Sequence, residues 1–111
     1  MTTHQLKDKL ALTEFWLGEE KEVEAGYCGD LLSWAMSKAP KNSAWVTVMT
    51  NNNVAAVTVL CDVACVILAQ GAKPDEQLKN RMMAENVCLF GSELDAFSIV
   101  LKLGELLEIN I

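Results

Sequence analysis

The chain predicts an α/β fold built on a mostly parallel sheet with helices on its faces. Three observations carry that expectation. Short β-branched and aromatic runs alternate with stretches of helical spacing, the span between two such runs is long enough for a crossover, and 51% of the residues are apolar against 22% charged. A chain of 111 residues buries roughly 65% of its unfolded surface, so one domain over 1–111 is expected, with a core of its own.

Periodicity places a first helix at Thr3 to Leu10 with Thr3 as candidate cap, then a strand near Thr13 to Leu17 that Gly18 ends. The acidic run Glu19 to Glu24 reads as a solvated loop or edge. Gly26, Tyr27, Cys28, Gly29, Asp30, Leu31, Leu32 and Ser33 read as a glycine turn that opens a helix, with Gly29 relaxing the backbone ahead of Asp30 and the Asp30 carboxylate capping the first turn. That helix carries Leu31, Leu32, Ala35, Met36 and Ala39 until Pro40 stops it.

Trp45 to Met49 is the clearest strand. Thr50 and the asparagines 51–53 then precede Val54 to Leu60, which suits either a hairpin or a crossover helix capped by an asparagine. Length favours the crossover, because Thr50 to Asp62 supplies the roughly dozen residues a parallel connection needs, and the apolar strand Ala64 to Ala69 follows at once. Gly71 to Glu76 is a turn with Pro74 at the first helical position, leading a helix to about Glu85. Val87 to Phe90 is a short strand, Gly91 and Ser92 a turn and cap, and Glu93 to Glu108 the last helix.

The last helix has one polar seam, Asp95, Ser98, Lys102 and Glu105, between two apolar faces. Phe97, Val100, Leu101, Gly104 and Leu107 form one face; Ile99, Leu103 and Leu106 form the other. One sheet face does not usually cover that much apolar surface, so the excess is expected to be a subunit interface of a homodimer.

Fifteen acids against nine bases give a net charge of -6, and the bases are scattered from Lys7 to Lys102, so nucleic-acid binding is not expected. The apolar run from Val54 to Ala69 is broken by Thr58 and Asp62 and is shorter than the roughly 20 residues of a membrane helix, so no membrane partner is expected. Met1 to Leu10 has no apolar signal region, which points to the cytoplasm and to reduced thiols at Cys28, Cys61, Cys65 and Cys88.

No glycine-lysine phosphate loop occurs, and the single histidine, His4, lies among polar residues and faces solvent by expectation. Cys61 and Cys65 share a helical spacing but straddle a helix-to-strand junction, so they read as packing rather than metal ligands. Cys28, beside glycine near a helix start, is the thiol expected to have a lowered pKa. Asp30 and Asp62 are the only carboxylate pair in apolar surroundings, and Asp30 is read as a cap before a catalytic group.

Four stretches in this order, Gly26 to Ser33, Trp45 to Val57, Gly71 to Glu76 and Ala96 to Leu107, resemble the DRTGG domain, a family related to the N-terminal domain of HPr kinase/phosphorylase. The chain departs from the family at its name-giving run, where Glu22 to Gly26 keeps only the last glycine, and at Asn52, where many members carry histidine. The resemblance implies a three-layer α/β/α domain without catalytic activity, used as a regulatory or dimerising module beside kinase, acyltransferase or CBS domains; no cofactor is expected. Free-standing single-domain members look like accessory proteins, often encoded near genes for iron-only hydrogenase or related electron-transfer proteins.

The leading expectation is therefore a non-catalytic regulatory or interaction module that dimerises and senses a small phosphorylated or nucleotide ligand. Its surface is placed at the C-terminal ends of the strands, on Gly26, Tyr27, Gly29, Asp30, Thr50, Asn51, Asn53, Gly71, Lys73 and Ser92, because helix N-termini collect at that edge. The alternatives are a structural accessory subunit of a redox complex of hydrogenase type, and a small enzyme that uses Cys28 or Asp30; a protein partner in a redox or signalling complex is a further expectation.

Overall fold

A computed structural model describes residues 1–111. Its elements run α1 (Thr3–Lys9), β1 (Thr13–Trp16), β2 (Ala25–Cys28), α2 (Leu32–Lys38), β3 (Ser43–Thr47), α3 (Asn53–Cys61), β4 (Cys65–Leu68), α4 (Glu76–Glu85), β5 (Cys88–Gly91) and α5 (Ala96–Leu106). The five strands form one sheet in the order β1-β5-β4-β3-β2. β2 to β5 are parallel, and β1 joins antiparallel at the β5 edge with a register shift between Glu14 and Trp16. The mostly parallel, layered α/β fold expected from the sequence is thus the observed one.

Alternation along the strands assigns each residue to a face. Ala44, Val46, Cys65, Ile67, Cys88 and Phe90 share one core with Leu6 of α1 and with Ile99 and Leu103 of α5. Trp45, Val66, Leu68 and Leu89 share the other with Ala35 of α2, Val54 and Val57 of α3, and Leu78 and Met82 of α4. The faces stay in phase because Ala44, Cys65 and Cys88 are register partners across three strands. The parallel strands succeed one another across the sheet without reversal, and right-handed crossovers then lay α2, α3 and α4 on a single face.

Several local expectations change. The segment Ala25–Cys28, read as a turn, is the edge strand β2, paired with Ser43 to Val46. Gly26 sits there because α5 crosses it closely: a Cβ would lie 3.2 Å from Leu103 Cδ2. α1 is capped by Thr2 rather than Thr3, in a reciprocal pair where Thr2 Oγ1 accepts from the Gln5 amide and Gln5 Oε1 accepts from the Thr2 amide. Asp30 does not cap α2, whose N-cap is Leu31 without a side-chain bond.

Pro74 precedes the N-cap of α4, which is Asp75 accepting from the Leu78 amide at 2.8 Å. Gly91 belongs to β5, and Asp95, not Ser92, caps α5 through the Ser98 amide at 2.7 Å. The β3 strand begins two residues earlier than expected, leaving Val48 and Met49 beyond its end. Gly18 is required by packing, since a Cβ would come within 2.5 Å of the Asn86 carbonyl oxygen. No helix is long and apolar enough to cross a membrane.

Candidate functional site

Four loops leave the C-terminal ends of β2 to β5, and the structure ties them together in pairs. Asp30 Oδ1 accepts from Thr47 Oγ1 at 2.7 Å and from the Val48 amide at 2.9 Å, which fastens the β2 loop to the end of β3. Behind it the Gly29 amide donates to Val46 O at 3.2 Å, and the buried Trp45 indole donates to Gly29 O at 3.0 Å. Thr50 O accepts from the Asp75 amide at 3.0 Å, so the β3 loop is tied to the start of α4. Gly71, with φ +71°, donates to Ser92 O at 2.9 Å, and the Ser92 amide donates to Leu68 O at 2.9 Å.

Of the residues expected at a site, Gly29, Asp30, Thr50, Asn51, Asn53, Gly71, Lys73 and Ser92 therefore belong to this edge. Asn51 Oδ1 accepts from the Asn53 amide at 2.9 Å at the start of α3, Ser92 Oγ accepts from the Leu94 amide at 3.1 Å, and Lys73 is exposed. Gly26 and Tyr27 do not belong to it. They lie within β2, with Gly26 toward α5 and Tyr27 packed against the core on the other face.

The helix starts along this edge differ in charge. Carboxylates of Asp75 and Asp95 occupy the first turns of α4 and α5, and Glu93 stands against Gly71. α2 and α3 begin without a side-chain cap, at Leu31 and Asn52. A phosphate or carboxylate approaching this edge meets acidic caps on the β4–β5 side and the Asp30 carboxylate just ahead of α2, while α3 alone along this edge begins without an acid at its N-cap or just ahead of it.

The carboxylate pair dissolves in three dimensions. Asp62 is the left-handed C-cap of α3, just ahead of β4, where Lys21 and Lys41 reach it at 3.7 Å. Asp30 lies at the opposite end of the strands. Cys28 also departs from expectation: burial first, and then the Asp30 carboxylate, push its thiol above the ordinary 9.0 rather than below it. Cys61 lies against the carbonyls of Ala35 and Met36, while Cys65 and Cys88 are buried in the core beneath α1 and α5. His4 Nε2 donates to Gly18 O at 2.9 Å, tying α1 to the loop after β1 rather than facing solvent alone.

Burial drives the Cys65 thiol, with the neighbouring Cys88 adding to it, far above 9.0, and burial also raises Cys88. The unfolded chain releases these protons near pH 9 while the fold retains them, so stability is intact below that value and falls as the pH rises through it. For Cys65 the loss is expected to approach about 1.4 kcal/mol per pH unit. Urea unfolding across alkaline pH should show a shallower decline for Cys65→Val than for the unaltered chain.

The sequence concealed a second feature. A cavity of about 390 Å³ opens between the β2 edge and α5, lined in part by Gly26, Cys28, Val100, Leu103, Gly104 and Ile109. Its sequence signal is the surplus of apolar residues on the last helix. Ile99 and Leu103 face the sheet, Leu106 and Leu107 are half-buried against the core, and Phe97 and Leu101 stand in solvent at 73% and 58% exposure.

No family model matches the chain, and no curated protein matches it. Among solved structures, it is similar to a crystal structure of the CBS and DRTGG domains of the regulatory region of Clostridium perfringens pyrophosphatase, complexed with the activator diadenosine tetraphosphate. The TM-score is 0.66 at 9% identity, over 90% of this chain and 44% of that one. This chain thus spans less than half the length of that structure. The likeness is one of fold, and it supports a DRTGG-like α/β architecture.

Proposed function

We propose that this chain is a DRTGG-like regulatory or interaction module without catalysis of its own, which dimerises and reads a small phosphorylated or nucleotide ligand where β2 and β3 end. The observation that carries the reading is the start of α3, which has no acidic cap, beside loops held together by the Asp30 clasp on Thr47 and Val48. Asn51 Oδ1 on the Asn53 amide is a neutral oxygen that a ligand oxygen can replace. With a net charge of -6, a bare polyphosphate is held weakly, so the base and sugar must contribute and a nucleotide fits better than inorganic phosphate.

The likeness to a regulatory region solved with a dinucleotide polyphosphate supports the same reading. A cysteine-dependent enzyme fits less well, because the Cys28 thiol is shifted away from the reactive thiolate. Calorimetry with ATP, AMP and diadenosine tetraphosphate tests the proposal. Micromolar binding is expected for at least one of them, weakened about tenfold or more by Asn53→Asp, which brings a carboxylate to the start of α3, and unchanged by Asp75→Asn. Heat from none of the three, or full affinity in Asn53→Asp, would defeat it.

A further inference from the structure

We propose that the open edge of β2 takes up an extended segment of a partner protein as an added strand, with its apolar side chains in the groove beside α5 and a basic residue against Glu105. The site is separate from the nucleotide edge and does not depend on it. β2 is the last strand of the sheet, with β3 on one side and no strand on the other. Ser43 O and Thr47 O accept from the Ala64 and Ala69 amides on the β4 side, so Ala44 and Val46 turn their main chain toward β2. In a parallel ladder such residues bond to the neighbours of their register partners, here Gly26 and Cys28, and the Gly29 amide on Val46 O is one of those bonds. The amides and carbonyls of Gly26 and Cys28 therefore point out of the sheet. The Glu24 amide on Asn42 O lies ahead of this ladder, where Asn42 is left-handed at φ +61°.

Natural sheets blunt such an edge with lysine, proline, a bulge or a covering element. The opposite edge, β1, has its register shift between Glu14 and Trp16, whereas β2 pairs with β3 without a shift and contains neither lysine nor proline. Gly26 and Cys28 also line the 390 Å³ groove, whose far wall includes Leu101 of the exposed α5 ridge that it shares with Phe97. An added strand thus finds main-chain partners at Gly26 and Cys28, with room beside them for its alternate side chains against Val100, Leu101 and Leu103. A small apolar molecule in the groove would leave those main-chain groups to water. Charge selects the partner, because Glu105 is the one charged residue lining the groove, while Glu24 and Asp30 stand close to the two ends of β2. A basic segment complements this acidic frame. A second copy of β2 laid antiparallel on the first would instead bring acid toward acid, which disfavours self-pairing.

A labelled synthetic peptide that alternates valine with threonine and carries lysine at both ends, titrated with the full chain and followed by fluorescence anisotropy, tests the site. Saturable binding with Kd below about 1 mM is expected. Amide hydrogen exchange read by NMR should slow about tenfold or more at Gly26 and Cys28 when the peptide is bound. Cys28→Pro removes a donor that no bond within the sheet uses, so it should keep the circular dichroism spectrum and weaken the peptide about tenfold or more. Glu105→Lys should weaken it as well, and it decides the matter should Cys28→Pro fail to fold. The same peptide methylated on alternate main-chain nitrogens, or ended with glutamate, should bind at least about tenfold more weakly. No saturation at millimolar protein, equal affinity for the methylated or glutamate-ended peptide, or full affinity in Glu105→Lys would overturn the proposal. So would Gly26 and Cys28 amides already protected in the chain alone, since a second copy would then occupy the edge. The nucleotide reading stands or falls separately, because these substitutions lie outside the loops that follow β2 and β3.

Discussion

Trp45→Ala is expected to lower stability by about 3–5 kcal/mol, a large share of the roughly 5–15 kcal/mol a domain of this size possesses. Trp45 is fully buried in the central region of the sheet, against residues of α2, α3 and α4. Removing the indole leaves a cavity that the close-packed faces around it cannot collapse to fill. It also strips Gly29 O of its donor, so the β2 loop should loosen along with the core. Trp45→Phe separates the two effects, keeping most of the packing and losing the hydrogen bond. Urea unfolding should place Trp45→Phe between the unaltered chain and Trp45→Ala, and equal losses for both would show that the hydrogen bond, not the packing, dominates.

Asp30→Ala should produce the second large effect, a loss of about 1.5–3 kcal/mol. Its Oδ1 is the acceptor for both Thr47 Oγ1 and the Val48 amide, and Thr47 is almost wholly buried, so its hydroxyl proton loses its acceptor where water reaches poorly. Asp30→Asn keeps an oxygen there and is expected to cost markedly less. The same substitution removes the negative charge that helps raise the Cys28 pKa, so Cys28 should react faster with iodoacetamide in Asp30→Asn at pH 8. Alkylation rates that do not change would place Asp30 too far from the thiol to matter. A fall in stability as large for Asn as for Ala would show that the carboxylate's charge, rather than its geometry, holds the clasp.

The part of the fold that follows from periodicity was legible in the sequence. The crossover length between Thr50 and Asp62 identified α3 against a hairpin, and the β-branched run around Trp45 identified the strand β3, an interior strand of the sheet. β2 was not legible, because two glycines in Gly26 to Gly29 signal a turn locally, while their meaning is tertiary: Gly26 makes room for Leu103 of α5. Asp30 was recognised as a hydrogen-bonding carboxylate ahead of a helix, yet its partners are seventeen and eighteen residues away, at the last residue of β3 and the one after it, rather than in the next turn. Local propensity cannot distinguish those two acceptor roles.

The candidate edge divides in the same way. Turns that precede helices were visible as glycine, asparagine and proline clusters, and the parallel topology does bring their loops together. Gly26 and Tyr27 were misplaced with β2, and the apparent pairing of Asp30 with Asp62 came from apolar neighbours in sequence that lie at opposite ends of the sheet. The groove beside α5 depends on which of two apolar faces packs inward, a choice that only the packed structure makes.

The central claim, that a nucleotide binds where β2 and β3 end, is tested most directly by amide NMR spectra of the full chain titrated with diadenosine tetraphosphate. The expected result is saturable shifts concentrated at Asp30 to Ser33 and Val48 to Val54, with Gly26 to Cys28 and the α5 ridge little changed. Shifts confined to the β2–α5 groove, or spectra that do not move at millimolar ligand, would contradict it.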